Sequence, residues 1–116
     1  LIQYTVAVER GNERISKLYT KFHPSVIKLI KMAIDGAHSA NIICGMCGEA
    51  AGDKLYIPLL IGLGLNEFSM NSNSLLNARK RINNLDKAEC VKLSEEILQM
   101  SSAEEVEERL KEFKEN

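Results

Sequence analysis

The sequence predicts an α/β fold with parallel strands, in the form of the last part of a larger α/β domain. Three observations carry this. Stretches with the period of an amphipathic helix alternate with short apolar, β-rich runs, as at 24–40, 42–46, 53–63, 66–70 and 75–85. Helices that alternate with strands argue for parallel strands joined by helical crossovers. Such strands are buried on both faces, so the two or three available here cannot cover themselves. At 116 residues the chain is also less than half of a complete (β/α) barrel, which takes about 250 residues. It begins in mid-element at Leu1 without a methionine, which fits that expectation.

The elements follow in order. Residues 1–12 alternate Ile2, Tyr4, Val6 and Val8, a period of two that by itself reads as a strand, broken at Gly11-Asn12. Residues 24–40 read as a helix: Pro24 suits a first helical position, and Val26, Ile27, Leu29, Ile30, Ala33, Ile34 and Ala37 recur at helical spacing. Asn41 can close it. Residues 42–46 are too short for a helix and β-rich at their start, so a buried strand is expected there. It feeds Gly45-Met46-Cys47-Gly48-Glu49, a thiol flanked by glycines. Asp53 is expected to cap a helix running to about Leu63 and ended by Gly62 and Gly64. Residues 66–70 read as a second strand, and Asn71-Ser72-Asn73-Ser74 as a turn and cap. A helix over 75–85 should turn Leu75, Ile82 and Leu85 inward. Asp86-Lys87-Ala88-Glu89 and Ser102-Ala103-Glu104-Glu105 both have capping-box spacing and open two last helices. The final one points Val106, Leu110 and Phe113 inward and carries a densely charged outer face.

Composition narrows the function classes. Hydrophobic residues make up 45% and charged residues 27%, with a net charge of −1. No basic excess points to nucleic acid or an anionic membrane. Arg79-Lys80-Arg81 reads as a solvated helix face. No run approaches the roughly 20 apolar residues of a membrane span; the longest, 56–65, is interrupted by Pro58, Gly62 and Gly64. A basic start and a cleavage site are both missing, so no signal peptide is expected. Three cysteines without a framework fit a reducing, cytoplasmic setting.

Cys44-Gly45-Met46-Cys47 is formally a C-x-x-C, but residues i and i+3 of a strand point to opposite faces, a poor arrangement for a disulfide. Cys44 and Cys90 read as small core residues. Cys47 stands apart, because glycines let a ligand approach and strand ends are where α/β proteins bind ligands; a structural role is the alternative. Glu49 can orient a neighbour or a ligand, and Asp53 reads as a cap. Arg10, beside a glycine turn, is either a surface ion pair or a clamp for phosphate or carboxylate. His23 reads as a helix-start residue and His38 as solvated.

Taken together, several segments resemble enzyme I of the bacterial phosphoenolpyruvate:sugar phosphotransferase system, the phosphoenolpyruvate–protein phosphotransferase family. They are Leu1-Ile2-Gln3-Tyr4-Thr5, Val8-Glu9-Arg10-Gly11-Asn12-Glu13, His23-Pro24-Ser25-Val26, Gly45-Met46-Cys47-Gly48-Glu49, Ala51-Gly52-Asp53, Pro58-Leu59-Leu60 and Gly62-Leu63-Gly64. The likeness covers about residues 1–85 in order and spacing, and the charged tail looks like that family's carboxyl end. The Met-Cys-Gly-Glu element alone is shared, in variant form, with pyruvate phosphate dikinase and phosphoenolpyruvate synthase.

The resemblance implies that residues 1–116 are the carboxyl-terminal fragment of a phosphoenolpyruvate-binding (β/α)8 TIM barrel domain: its last two complete βα units and terminal helices, incomplete as a barrel. It implies binding of phosphoenolpyruvate and Mg²⁺, homodimerisation, and phosphoryl transfer to a histidine on a separate amino-terminal domain, then to the histidine-containing phosphocarrier protein. By motif position Cys47 corresponds to the proton donor that converts enolpyruvate to pyruvate, Arg10 to a ligand-binding arginine, and Glu49 to a neighbour in the same loop that binds substrate. The Mg²⁺ ligands and the phosphohistidine domain are expected outside this chain, so the chain alone is expected not to turn over phosphoenolpyruvate. The family's opening stretch is mostly loop and short helix, a reading that displaces the strand at 1–12. The competing readings are a thiol-redox module using Cys44 and Cys47, and a non-catalytic binding or dimerisation domain. Open strand edges in a partial barrel lead to an expectation of self-association.

Overall fold

The computed structural model describes residues 1–9 and 11–113. In chain order it runs α1 (Ile2–Val6), a 3₁₀ turn (Ser16–Leu18), α2 (Pro24–Ser39), β1 (Gly45–Cys47), α3 (Glu49–Gly52), α4 (Ile57–Leu63), β2 (Glu67–Ser69), α5 (Ser72–Asn83), α6 (Lys87–Leu98) and α7 (Ala103–Glu112). The fold is thus mixed α/β and rich in helix. β1 and β2 pair in parallel, with Gly45 opposite Glu67, Met46 opposite Phe68 and Cys47 opposite Ser69. α3 and α4 form the crossover between them, as the alternating pattern predicts. Met46 and Phe68 pack against the core, while Gly45, Cys47, Glu67 and Ser69 lie on the other, exposed face of the sheet.

The first element is a helix, so the period-two pattern of residues 1–12 is misleading by itself; the resemblance, with its loop and short helix, is the better guide. α1 ends at Ala7, which takes a left-handed φ of 55°. α2 follows the apolar periodicity closely, with Val26, Ile27, Ile30 and Ile34 buried. Asn41 does close it, at φ 56°. The Asn41 N–H donates to the His38 carbonyl and the Ile42 N–H to the Ala37 carbonyl, the two bonds of a Schellman motif.

That motif corrects the buried strand expected at 42–46. The Ile42 N–H is held by the preceding helix, so the chain enters the sheet only at Gly45, and Ile42 and Ile43 are left 61% and 72% exposed. The second strand falls within the expected 66–70. α4 closes by the same device, with Gly64 at φ 97° and the Leu65 N–H reaching the Leu60 carbonyl. Gly62, expected as a helix stop, instead lies inside α4, where the helix passes so close to α6 that no side chain fits.

The core is built around α4, whose Leu59, Leu60 and Leu63 meet Ile27 and Ile34 of α2, Leu93 and Ile97 of α6, and Val106 and Leu110 of α7 in one cluster. The caps read from the sequence are present. The side chains of Asn71, Asp86 and Ser102 accept from the N–H groups of Ser74, Glu89 and Glu105. The inward Leu75 is not: it is 48% exposed and Leu76 is 76% exposed, with Ala78 the buried residue of α5. Leu75 instead borders an open concavity of about 220 Å³ with Phe68, Met70, Ala78 and Ile82, so its side is only partly covered.

Tyr56, fully buried, precedes α4 and ties it to the chain before α2. Its hydroxyl donates to the Lys21 carbonyl at 2.8 Å, and its ring stacks edge-on against Phe22 at 5.9 Å. Burial pushes this hydroxyl's pKa well up, and the negative Asp53 adds to the effect. Tyr56→Phe is expected to cost about 1 kcal/mol, the net worth of one hydrogen bond, in urea unfolding at neutral pH. A folded pKa above the unfolded value of about 10 means that Tyr56 stabilises fully below that pH and less as pH rises above it. The parent should therefore lose more stability than Tyr56→Phe between pH 9 and 11.

Candidate functional site

The site forms where both parallel strands end, the position at which open α/β sheets bind ligands. Cys47 is the last residue of β1, and strand alternation puts its exposed thiol on the same face as Ser69, its register partner. Gly48 then takes φ 105° and ψ −167°, a region essentially limited to glycine, and its N–H donates to the Ser69 carbonyl at 3.2 Å. This turn drives the chain out of the strand directly into α3. Ala51, fully buried, anchors that short helix to the core.

Asp53 ends α3. It is not the N-cap of α4, a position taken by Tyr56, but its Oδ1 accepts from the Leu55 N–H at 2.8 Å and its carbonyl accepts from Tyr56 and Ile57. It therefore organises the turn that leads into α4 instead of capping that helix, which corrects the expected cap. Its Oδ2 pairs with Lys21 Nζ at 2.8 Å.

Two concavities flank the Gly48–Glu49 loop. One, of about 360 Å³, lies between the two strand ends and is bordered by Glu49, Asp53, Ser69, Asn71 and Ser74. The other, of about 490 Å³, is lined by Cys47 and Glu49 together with Ile2, Thr20 and Lys21. The structure thus brings Cys47 and Glu49 together at one cavity. Arg10 lies outside the described residues.

The other sulfur and imidazole groups have structural places. Cys44 is half-buried against the core; its N–H donates to Asn66 Oδ1, and its carbonyl accepts from Asn66 and Glu67. Three residues of extended chain span about 10 Å, beyond the roughly 7 Å that a disulfide bridges, and both Cys44 and Cys47 are free thiols. Cys90 is fully buried; burial pushes its thiol up, with Asp86 acting in the same direction and Arg81 opposing. His23 caps α2, its Nδ1 accepting from the Ser25 N–H. His38 is exposed but more engaged than a solvated residue, with Nε2 2.9 Å from Asn66 Oδ1. Among the described residues no three His, Cys, Asp or Glu side chains cluster to hold a metal ion.

Sequence reasoning missed two residues here. Ser69 was legible in principle: in a parallel pair of strands, the last residues of the two runs oppose one another. Lys21 gave no local signal, since its partner lies 32 positions away.

Residues 1–87 match the family described as "PEP-utilising enzyme, PEP-binding domain". The phosphoenolpyruvate-protein phosphotransferase of Listeria monocytogenes serovar 1/2a is 52% identical over 113 residues, 97% of this chain and 20% of the relative. The proteins of that name from Bacillus subtilis and Staphylococcus carnosus are 51% and 46% identical, over 91% and 100% of this chain and 19% and 20% of their own lengths. The chain therefore spans about a fifth of the length of these curated relatives. The resemblance read from the motifs and these relatives point to one and the same kind of protein.

Proposed function

Since the chain belongs to the PEP-binding domain family of PEP-utilising enzymes, we propose that it is the carboxyl-terminal part of a phosphoenolpyruvate–protein phosphotransferase, completing a (β/α)8 barrel. The observation that carries the reading is the exposed Cys47 thiol at the carboxyl end of a parallel strand, lining a 490 Å³ cavity beside a glycine-only turn. The two-stranded sheet with one open face and open edges suits two adjacent strands of a barrel whose other strands lie elsewhere in the protein.

The chemistry follows from the substrate. Removing the phosphoryl group from phosphoenolpyruvate leaves an enolate, which becomes pyruvate when carbon 3 is protonated. A thiol, with an ordinary pKa of about 8.5, is protonated at neutral pH yet acidic enough to deliver its proton. In the proposed step the Cys47 S–H bond breaks, a C–H bond forms at carbon 3, and the thiolate takes a proton back from solvent. Arg10 is assigned to the substrate's anionic groups, where a planar guanidinium gives paired hydrogen bonds. Glu49 borders both cavities and is assigned to substrate binding. Mg²⁺, when bound by residues beyond this chain, offsets phosphate charge. Homodimerisation, the phosphocarrier partner and a cytoplasmic location belong to the same reading. No helix among the described residues is long and apolar enough to cross a membrane.

The reading predicts where phosphate goes. His23 caps α2 and His38 pairs with Asn66, and the reading assigns the acceptor histidine to another domain. The intact protein given ³²P-phosphoenolpyruvate should acquire acid-labile label on a histidine outside residues 1–116, unchanged in His23→Ala and His38→Ala. Absence of histidine-bound label, or label on either of these two, contradicts the proposal.

A further inference from the structure

Lys21, just before α2, grips the segment that ends α3 with both its backbone and its side chain. Its carbonyl accepts the Tyr56 hydroxyl at 2.8 Å, and its ammonium pairs with Asp53 Oδ2 at 2.8 Å while lying 4.9 Å over the Phe22 ring. The Lys21 and Asp53 side chains are 26% and 30% exposed. Lys21 lines the same 490 Å³ cavity as Cys47, and Asp53 borders the neighbouring 360 Å³ concavity, with Glu49 common to both. An unpaired Asp53 carboxylate would add negative potential next to the Cys47 cavity, which on the reading above admits an anion.

We propose that Lys21 is a positioning residue of the Cys47 cavity: its ion pair with Asp53 holds the part of the lining that Lys21 supplies and cancels the Asp53 charge, so that an anionic substrate can reach the thiol. This rests on the proposed phosphotransferase reading for the identity of the anion, but its test does not depend on turnover. Lys21 acts through Asp53 and the lining, and no contact with substrate is needed.

Alkylation separates charge from mere access. In the intact protein, Cys47 labelling by iodoacetate, an anion, is compared with labelling by the neutral iodoacetamide, resolved by peptide mass spectrometry from Cys44 and Cys90. Lys21→Met should lower the iodoacetate-to-iodoacetamide rate ratio at Cys47 about three- to fivefold, the scale of one partly exposed ion pair. Lys21→Arg should keep the parent ratio. Asp53→Asn, which retains an acceptor for the Leu55 N–H, should raise the ratio, and the Lys21→Met/Asp53→Asn double variant should return it to the parent value. In turnover, Lys21→Met should raise KM for phosphoenolpyruvate by about the same factor and leave kcat within about twofold. A ratio unmoved in both single variants, or moved in the same direction by both, overturns the role of the pair. An intact protein that shows the opposed shifts but forms no phosphohistidine would instead count against the phosphotransferase reading alone.

Discussion

Gly62→Ala is expected to unfold this region of the protein or to bring its stability down by about 3 kcal/mol or more, the upper end of overpacking costs. A β-carbon at Gly62 would lie 2.0 Å from the Cys90 carbonyl oxygen, 2.6 Å from its carbon and 2.9 Å from Ser94 Cβ. Two of these three atoms are backbone, so no rotamer change relieves the contact. α4 and α6 would have to move apart, which opens the packing of Leu59 and Leu63 against Leu93 and Ile97. Alanine is otherwise the better helix former by about 1 kcal/mol, so the sign of the effect separates a close helix crossing from a simple helix stop. The measurement is the urea midpoint of the variant against the parent. A rise in stability would mean that α4 and α6 do not approach as described.

The same glycine shows how far the sequence could be read. The apolar periodicity of α2, the caps at Asn71, Asp86 and Ser102, and the parallel alternation of helix and strand were all legible, because each depends on residues within one or two turns of each other. Gly62 was read as punctuation, because the helix that demands it is 28 positions away at Cys90. The strand expected at Ile42 was displaced by a hydrogen bond to the previous helix, which apolar composition does not reveal. Spacing alone turns Leu75 inward, yet burial needs full cover, and Leu75 borders an open concavity beside Phe68 and Met70. At the site, Cys47 and Glu49 could be picked out because glycines mark the turn that presents them. Lys21 could not, since an ion pair between distant segments leaves no pattern in either.

The chemical claim centres on Cys47. On the proposed reading, Cys47→Ala in the intact protein is expected to slow hydrogen exchange at carbon 3 of pyruvate by about 10²- to 10⁴-fold, the usual contribution of a positioned acid. Because the side chain is exposed, its loss should leave stability within about 0.5 kcal/mol of the parent, so the effect will not be one of folding. Cys47→Ser should fare little better than alanine, since an aliphatic hydroxyl holds its proton far more tightly than a thiol. Formation of phosphohistidine from phosphoenolpyruvate should fall less than the exchange rate, because departure of the phosphoryl group precedes protonation of the enolate. The most direct measurement follows deuterium entering the methyl group of pyruvate by proton NMR, in the parent and in Cys47→Ala. The account predicts exchange in the parent and near-loss of it in a folded, phosphorylatable variant. Exchange at the parental rate without this thiol would contradict it.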